Sequence, residues 1–397
     1  MSHPLISRSP DLRELQNKGY DLEICSGFLL VKDVPYVNSR REVRRGTLVA
    51  KLVLAGDVTA RPDDHVAHFA GEYPCRADGT EIGEIKFSSG DRTLAEGVVI
   101  QHSFSAKPKP GDLYPDYLAK METYAAILSG PAQVLDPDAR PQTFPVIQEA
   151  PNARETPFNY IDTASSRAEI DMVTAKLKRL NRIAIVGLGG TGSYVLDLVA
   201  KTPVSEIHLY DGDTYLQHNA FRSPGAPSVD ELRQRMHKTT WFKSLYGKMH
   251  SGIVDHAVYL DEVNVEELLG MDFVFLCLDS GEAKKLIVAK LEDFNVPFTD
   301  AGMGVQLNNG ALGGIVRVTT STPQKRDHFR GRVSFAEGKG NNEYDRNIQI
   351  ADLNALNAAM AVIRWKKLFG FYRDMKGEHH SQFSIDGNLL INEDRVQ

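Results

Sequence analysis

The sequence has few cysteines. It contains only three, Cys25, Cys75 and Cys277, and no two of them form a C-x-x-C pair. Structural zinc sites built from cysteine pairs and disulfide frameworks need more cysteines at closer spacing, so the composition argues against both. It fits a protein of the reducing cytoplasm, where thiols stay unpaired.

Long apolar runs and a strong charge of one sign are also absent. No window approaches the ~20 consecutive apolar residues that a membrane-spanning helix needs. The first residues, MSHPLISRSPDLREL, lack the basic and apolar segments of a signal peptide. The chain carries 46 basic and 52 acidic residues, a net charge of -6. Because this balance creates no global positive field, we expect neither nucleic acid nor a membrane as a partner.

Prolines divide the chain into two regions. They recur every few residues between Ser129 and Pro157, and proline lacks an amide donor and disfavours helix in the residue before it. We therefore predict an extended linker over residues 129–165. Residues 1–128 are predicted to form a small N-terminal α+β domain, and residues 166–397 a C-terminal α/β domain.

The N-terminal region shows helical and strand patterns. Residues 62–83 hold several prolines and glycines, so we expect a loop there that exposes Cys75. The other patterns predict a helix over 11–18, strands within 20–37 and 46–56, and a helix over 114–128.

The C-terminal region contains the pattern of a parallel sheet. The segment RIAIVGLGGTGSYVLDLVAKTPVSEIHLYDGD, residues 182–213, is an apolar strand, a glycine-rich turn, an amphipathic helix and a second apolar strand. Apolar spacing predicts a helix from Ser166 to Leu180 before it, and later apolar strands end at Asp279 and Asp300. Strands and helices alternate, which predicts a doubly wound, Rossmann-like α/β fold.

The turn after the first of these strands holds four glycines, Gly187, Gly189, Gly190 and Gly192. Residues without a Cβ atom let backbone N–H groups approach a phosphate, and the following helix presents its positive end there. This pattern predicts a nucleotide site. Asp211 ends the second strand and suits a ribose hydroxyl, which fits NAD as well as ATP. Asp213 follows as a second nucleotide contact or an ordinary turn aspartate.

Residues beyond the second strand separate ATP chemistry from NAD chemistry. Attack of a carboxylate on a phosphate brings like charges together, so the site needs cations aimed at the phosphates and an acid that holds magnesium. Asn219 and Arg222 follow the acidic strand end. Lys238 opens the next helical stretch, and Asp279 ends a later strand. The carboxyl ends of parallel strands meet at one sheet edge, where these side chains can converge.

Together these motifs resemble the ThiF/MoeB/HesA superfamily of ubiquitin-activating-enzyme-like adenylyltransferases. The GLGGTGS turn, the D-x-D-T strand end, the N-x-x-R after it, the later lysine and the C-x-D strand end occur in the family's order over residues 182–317. The resemblance implies adenylation, by ATP with Mg²⁺, of the C-terminal carboxylate of a ubiquitin-like or sulfur-carrier protein. It also implies a homodimer.

The resemblance gives each matching residue a role. It implies that Asp211 binds the ATP ribose and that Asp279 coordinates Mg²⁺. It implies that the phosphates are contacted by Asn219, Arg222 and Lys238. The distance in sequence from Arg222 to Lys238 is long for the family, so three nearby cations compete for the lysine's role: Arg233, Arg235 and Lys243.

Two further positions follow from the resemblance. Ser280 stands beside Asp279 where the family usually has asparagine, which leaves one nucleotide contact open. Some members supply an arginine across a dimer from the helix that precedes the glycine turn. Arg167 is the matching residue, and a solvated arginine at a helix start is the alternative.

Many family members next pass the acyl group to their own cysteine. The corresponding region, residues 319–350, has no cysteine, and Cys277 and Cys25 lie in predicted strands. Three outcomes stay open: the acyl-adenylate is handed to another protein such as a separate conjugating enzyme, Cys75 forms a thioester, or Cys25 forms one. The region before Cys75 is loosely similar to ubiquitin-conjugating-enzyme-like domains, although no His-Pro-Asn precedes the cysteine; a partner-binding domain fits equally.

Two other functions stay open at this point. The glycine turn with Asp211 also suits an NAD-dependent oxidoreductase. A non-catalytic nucleotide-binding scaffold would retain the fold without the reaction, although it would not need so many polar groups near the turn.

Overall fold

The computed structural model describes residues 2–109, 112–145, 156–168, 170–335 and 348–395. The chain divides into two units. The first comprises Met1–Gln148 and Ile161–Asp171, and the second comprises Glu149–Tyr160 and Met172–Gln397. Within the described residues, no helix has both the length and the apolar character that crossing a membrane requires.

The first unit is an antiparallel sheet covered by a long helix. Its elements are α1 (Ser2–Arg8), α2 (Pro10–Asn17), β1 (Leu22–Cys25), β2 (Phe28–Val37), β3 (Val43–Lys51), β4 (Leu54–Ala55), β5 (Val58–Thr59), β6 (Val66–Ala70), β7 (Lys86–Ala95), β8 (Val98–Ser105), α3 (Tyr117–Leu135) and α4 (Thr163–Arg167). The main sheet has the strand order β1-β2-β3-β6-β8-β7, and every neighbouring pair is antiparallel. Leu29, Phe69 and Phe104 of the sheet share one fully buried cluster with Tyr124 of α3.

Helix α3 extends into the first residues of the predicted linker. The helix continues through Pro131 to Leu135, so the expectation of extended chain from Ser129 onwards is wrong for its first residues. Leu128 and Ala132 are fully buried, and this burial outweighs the single backbone hydrogen bond that a proline near the helix end removes. Residues 146–155 of the predicted linker lie outside the described residues.

The helix predicted from Ser166 to Leu180 is also wrong as a single element. The structure has α4, then α5 (Asp171–Thr174), then a 3₁₀ turn at Leu177–Arg179. The expected apolar face is incomplete, because Ile170 is exposed while Leu177 is buried. An isolated helix of this length gains little from propensity alone, so it does not persist without packing.

The second unit is a mixed sheet with helices. Its strands are β9 (Arg182–Val186), β10 (Glu206–Tyr210), β11 (Ile253–His256), β12 (Phe273–Leu276), β13 (Phe298–Asn308), β14 (Ala311–Ser321), β15 (Glu378–Ser384) and β16 (Leu389–Arg395). Its remaining helices are α6 (Gly190–Val199), α7 (Gln217–Ala220), α8 (Val229–Arg233), α9 (Lys238–Tyr246), α10 (Gly281–Asp293), α11 (Phe329–Arg332) and α12 (Ala351–Leu368).

The strand order of this sheet places the site. The order is β11-β10-β9-β12-β13-β14-β15-β16, with parallel pairing from β11 to β13 and antiparallel pairing beyond. The doubly wound α/β fold is therefore confirmed. The chain leaves β9 towards β10 and later returns to add β12 on the other side of β9. Ligands of such sheets bind in the crevice beyond the carboxyl ends of the strands at this switch point.

The sequence of β9 is continuously apolar from Ile183 to Val186 because both faces of the strand are buried. Ile183 and Ile185 belong to one buried cluster, whereas Ala184 and Val186 belong to another. Successive side chains of a strand point to opposite faces of its sheet. Both faces are thus covered, as in other buried parallel strands.

Candidate nucleotide and acyl site

Three strand ends meet at one cavity. Val186, the last residue of β9, pairs with Tyr210 of β10 and with Leu276 of β12. The turns that follow these strands therefore lie side by side. Together with residues of later elements they line a cavity of about 870 Å³, which includes Gly187, Asp211 and Asp279.

The glycine turn has little room for side chains. Gly187 has φ of +88°, and a Cβ atom there would lie 2.8 Å from the carbonyl oxygen of Cys277. A Cβ atom on Gly192 would lie 1.9 Å from the carbonyl oxygen of Gly187, and one on Gly190 would lie 1.9 Å from Nδ2 of Asn354. Gly189 is less restricted, since its Cβ atom would approach only Gln349, at 4.0 Å. The turn thus brings bare backbone to the cavity at the start of α6.

Asp211 is the central acceptor of the site. It is buried, its Oδ2 accepts from the backbone N–H of Leu188 at 2.7 Å, and its Oδ1 accepts from that of Asp213 at 2.8 Å. The carboxylate therefore fixes the glycine turn to the end of β10.

Lys238 reaches this carboxylate from the first position of α9. Its Nζ donates to Oδ2 of Asp213 at 2.6 Å and to Oδ2 of Asp211 at 3.3 Å, and the side chain is buried. Of the four candidate cations, Lys238 lines the cavity. Arg233 and Lys243 pair instead with Asp230 and Asp255.

Tyr259 is a contact that sequence reasoning missed. Its hydroxyl donates to Oδ1 of Asp213, and its ring occupies the space beside Gly212, where a Cβ atom would lie 2.6 Å from Cε2. The hydrogen bond to the Asp213 carboxylate, with desolvation, raises the pKa of Tyr259 to about 12. Desolvation opposes a charged Asp213, but the hydrogen bonds from Lys238 and Tyr259 outweigh it and lower the pKa of Asp213.

Asn219 and Arg222 lie on the segment after β10. Asn219 is buried, and its Oδ1 accepts from the backbone N–H of Leu216, which caps α7. Both residues line the cavity. Nε of Arg222 is buried and finds no hydrogen-bond partner among the described residues. A buried donor without a partner is costly, and the guanidinium that carries it lines the cavity, where an anionic ligand can bind.

Asp279 and Ser280 lie between the end of β12 and the start of α10. Both are exposed and both line the cavity. Within the described residues, no group of three His, Cys, Asp or Glu side chains could hold a metal ion. A single carboxylate beside a phosphate site nevertheless fits Mg²⁺, which keeps several waters and binds one or two carboxylates together with phosphate oxygens.

Helix α12 contributes residues that the sequence did not single out. Asn354 is fully buried, its Oδ1 accepts from Oγ1 of Thr191 at 3.0 Å, and its Nδ2 donates to the carbonyl oxygen of Arg222 at 3.3 Å. This buried asparagine of α12 joins the glycine turn to the Arg222 segment.

A buried charge cluster, also missed, forms another part of the cavity wall. Asp300 of β13 is fully buried. Nη1 of Arg317 on β14 donates to its Oδ2 at 2.9 Å, and Nζ of Lys284 on α10 lies 2.7 Å from its Oδ1 without the alignment of a hydrogen bond. Both cations line the cavity. The signal in the sequence was Asp300 itself, because a carboxylate within an apolar strand requires cationic partners.

The structure corrects the expectation for Cys75. Its side chain is 1% exposed, and its backbone bridges Val37 and Glu81, so it is not on an open loop. Burial, followed by nearby carboxylates, raises the pKa of Cys75. A thiol nucleophile needs access and a lowered pKa, and Cys75 has neither.

Three candidate residues from the sequence remain, namely Cys277, Cys25 and Arg167. Cys277 follows β12 and lines the cavity, and desolvation raises its pKa well above the ordinary thiol value. Cys25 ends β1, as the strand pattern predicted. Arg167 is the last residue of α4, and its side chain lies outside the described residues.

Comparisons with known families cover both regions of the chain. The model of the ThiF family matches residues 164–371, more than half of the 397 residues. A family described as a domain of unknown function (DUF6791) matches residues 10–163. None of the curated proteins compared with the chain matches it.

Several solved structures resemble the chain. Escherichia coli MccB with MccA-N7isoASN is 19% identical, with 57% of this chain and 67% of that chain covered and a TM-score of 0.45. Escherichia coli MccB with ATP is 18% identical, with 59% and 72% covered and a TM-score of 0.46. Selenomethionine PaaA is 17% identical, with 56% and 75% covered and a TM-score of 0.43.

Proposed function

This chain belongs to the ThiF family, and from that premise we propose that it is an adenylyltransferase. It uses ATP to activate the C-terminal carboxylate of a peptide or small protein. The single observation that carries the proposal is the composition of one cavity wall. The glycine turn, Asp279 and Arg222, whose Nε has no partner in the part of the chain that the structure describes, all line the same cavity. A site that reacts a nucleoside triphosphate needs the glycine turn, a cation and a metal-binding acid. A hydride-transfer site needs neither the cation, Arg222, nor the second acid, Asp279.

In this proposal, different residues of the site contact different parts of the nucleotide. The N–H groups of the glycine turn and the start of α6 hold phosphate oxygens. Asp211 accepts from ribose hydroxyls with Asp213 beside it, and Ser280 adds a nucleotide contact. Lys238 leaves Asp213 for a phosphate oxygen, and Asn219 positions the Arg222 segment.

Asp279 is the proposed ligand of Mg²⁺. Its exposed carboxylate at the cavity wall matches the single-carboxylate coordination described above. When bound, Mg²⁺ would neutralise charge on the phosphates during the reaction.

The proposed reaction is a displacement at the α-phosphorus of ATP. A carboxylate oxygen of the acyl substrate forms a bond to phosphorus, and the bond from phosphorus to the oxygen bridging the α- and β-phosphates breaks. Pyrophosphate leaves with that electron pair, and an acyl-adenylate remains. No proton is transferred, so positioning by Arg222 and Lys238 and charge stabilisation account for the rate.

The proposal also includes the protein substrate and the fate of the acyl-adenylate. We propose a ubiquitin-like or sulfur-carrier protein as the substrate, a homodimer as the active form, and Arg167 as the residue supplied across it. Cys75 and Cys277 both have a raised pKa. The acyl-adenylate is therefore handed to another protein, such as a separate conjugating enzyme, and residues 1–128 serve to bind a partner.

Thermal-shift titration tests the proposal without knowledge of the partner. A ligand that binds only the folded chain raises its melting temperature. We expect Mg-ATP to stabilise the chain and NADH to leave it unchanged. Asp279→Asn should lose the part of the shift that depends on Mg²⁺ and keep the part caused by ATP alone. Asp230→Asn, which changes an exposed carboxylate on α8, is the matched control and should behave as wild type.

Stabilisation by NADH but not by Mg-ATP would overturn the proposal in favour of an oxidoreductase. With a ubiquitin-like partner in hand, exchange of labelled pyrophosphate into ATP should depend on that partner. Exchange at the wild-type rate in Asp279→Asn would contradict the role of this carboxylate and support a different metal site.

A further inference from the structure

The cavity wall formed by β13 and β14 has no part in the nucleotide contacts proposed above. Asp211 and the glycine turn follow β10 and β9, and Asp279 follows β12. Arg317 lies on β14, two strands beyond β12 in the sheet order and on the side away from β9. Neighbouring strands are about 4.8 Å apart. This wall is therefore the part of the cavity that is left for a second substrate.

The charges of this wall do not balance locally. Lys284 and Arg317 both contact one carboxylate, that of Asp300. All three side chains are largely or fully buried, with Asp300 at 0% and Arg317 at 17% exposure. Two cations for one anion leave an excess positive charge beside the cavity. Burial makes such an excess unfavourable unless an anion enters.

The guanidinium of Arg317 is held in place with donors to spare. Gly302 pairs with Arg317 across the two strands, and a Cβ atom at Gly302 would lie 2.8 Å from Nη2. The carbonyl of Gly302 accepts from Nδ2 of Asn357 at 3.1 Å, which fixes the strand at this point. Arginine has five N–H donors. Among the described residues, Asp300 is the acceptor that Arg317 has.

We infer that Arg317 binds the terminal carboxylate of the acyl substrate and so determines that the substrate is a chain end, an inference that rests on the proposed function. The planar guanidinium matches a carboxylate with two parallel hydrogen bonds. Asp300 and Lys284 hold Arg317 in position and keep the wall cationic. Pairing with Arg317 offsets the repulsion between the carboxylate and the phosphates. Once the acyl-adenylate has formed, the carboxylate charge is gone, which weakens the hold on the product.

A small mimic of a chain end tests this subsite. The probe is N-acetylglycylglycine, and its C-terminal amide is the uncharged control, both measured with Mg²⁺ and the α,β-methylene analogue of ATP so that no reaction occurs. We expect the acid to raise the melting temperature of the wild-type chain and the amide to leave it unchanged. In Arg317→Gln, the apparent affinity for the acid should fall about tenfold, because a charge-assisted hydrogen bond is lost. Arg317→Lys should be intermediate, since it keeps the charge but not the fork.

Controls separate this inference from the proposed function. Stabilisation by Mg-ATP should be the same in wild type, Arg317→Gln and Arg330→Gln, the last being an exposed arginine paired with Glu292. Loss of Mg-ATP binding in Arg317→Gln would overturn the inference and assign the wall to phosphate. Equal responses to acid and amide, or no response of the wild type to the acid, would also overturn it. Failure of Mg-ATP to bind the wild type would overturn the proposed function as well.

Discussion

Arg222 has one side-chain nitrogen, Nε, that no described residue pairs with. Its buried Nε lacks a partner among the described residues, and its backbone carbonyl is held by Asn354. Evolution of a stable fold alone would remove such a donor, since a buried unpaired polar group costs free energy. Its presence is better explained by a ligand. Stability and nucleotide binding should therefore respond in opposite ways when it is replaced.

The first prediction concerns Arg222→Gln. We expect the free variant to unfold at the wild-type temperature or above it, because the buried Nε, which has no hydrogen-bond partner among the described residues, is removed. We expect its affinity for Mg-ATP to fall roughly 10- to 100-fold, which corresponds to the loss of charge-assisted hydrogen bonds. Calorimetric titration and thermal unfolding measure the two effects separately. Arg233→Gln on exposed α8 is the control. A variant that loses stability and keeps full affinity would show that Arg222 is a structural residue.

Lys238 shows what the sequence could and could not decide at this scale. Four cations stood within one stretch of chain, and spacing alone left the choice open. Lys238 is buried against Asp211 and Asp213, whereas Lys243 faces Asp255. The choice depends on where α9 begins, because Lys238 is its first residue and points back to the end of β10. The prediction that Cys75 is exposed was wrong for a different reason. A loop pattern in the sequence carries no information about which residues pack over the loop.

At the scale of elements, the packed helices α6 and α12 approach each other most closely where Gly190 meets Asn354. A Cβ atom on Gly190 would lie 1.9 Å from Nδ2 of Asn354, which in turn bonds to Thr191 and to the carbonyl of Arg222. The glycine is therefore required by a helix far along the chain as well as by the proposed contact with phosphate. A local motif thus depends on a distant packing partner.

The second prediction tests this coupling by a double-mutant cycle. Gly190→Ala should lower the free energy of unfolding by about 1–3 kcal/mol, the usual cost of overpacking. In the Asn354→Ala background the same substitution should cost clearly less, because the clashing amide is gone. Chemical denaturation of the four proteins gives the coupling energy. Gly189→Ala is the matched control and should change stability little, since its Cβ atom meets nothing closer than 4.0 Å. Additive effects of Gly190→Ala and Asn354→Ala would refute the contact.

Across the whole molecule, buried histidines make stability depend on pH. Desolvation lowers the pKa of four of them in particular: His250, His328, His379 and His380. His250 is the clearest case, because its Nε2 donates to the carbonyl of Val204 and its Nδ1 accepts from the backbone N–H of Gly252. Protonation of Nδ1 would remove that acceptor. The folded chain therefore favours neutral histidine.

The third prediction follows from this linkage. A histidine with a lowered folded-state pKa binds more protons when unfolded, so stability is full at neutral pH. Stability should fall as the pH drops below about 6.5, by about 1.4 kcal/mol for each unit of pKa difference. Denaturation from pH 7.5 to 5 measures the slope. His250→Gln should flatten it in part, and His237→Gln, an exposed residue before α9, should not. Equal slopes in wild type and His250→Gln would assign the effect to other groups.

The sequence by itself determined the arrangement of the second unit around its parallel strands. The pattern from Arg182 to Asp213 encodes its own strand, turn, helix and strand, because each element is short and each signal is local. The polar residues after β9, β10 and β12 had to meet at one edge once those strands were parallel. The family and the position of Asp211 and Asp279 followed from that.

Only the tertiary structure decided which distant groups line the cavity or support its turns. Asn354, Tyr259 and Arg317 come from elements with no motif of their own, and their contacts depend on strand register and helix placement. The path of α3 through Pro131 and the burial of Cys75 were likewise set by packing. Local preferences of this kind differ by about 1 kcal/mol, or about 3 for proline in a helix interior, whereas burial of several large side chains contributes more. Packing therefore overrides them wherever the two disagree.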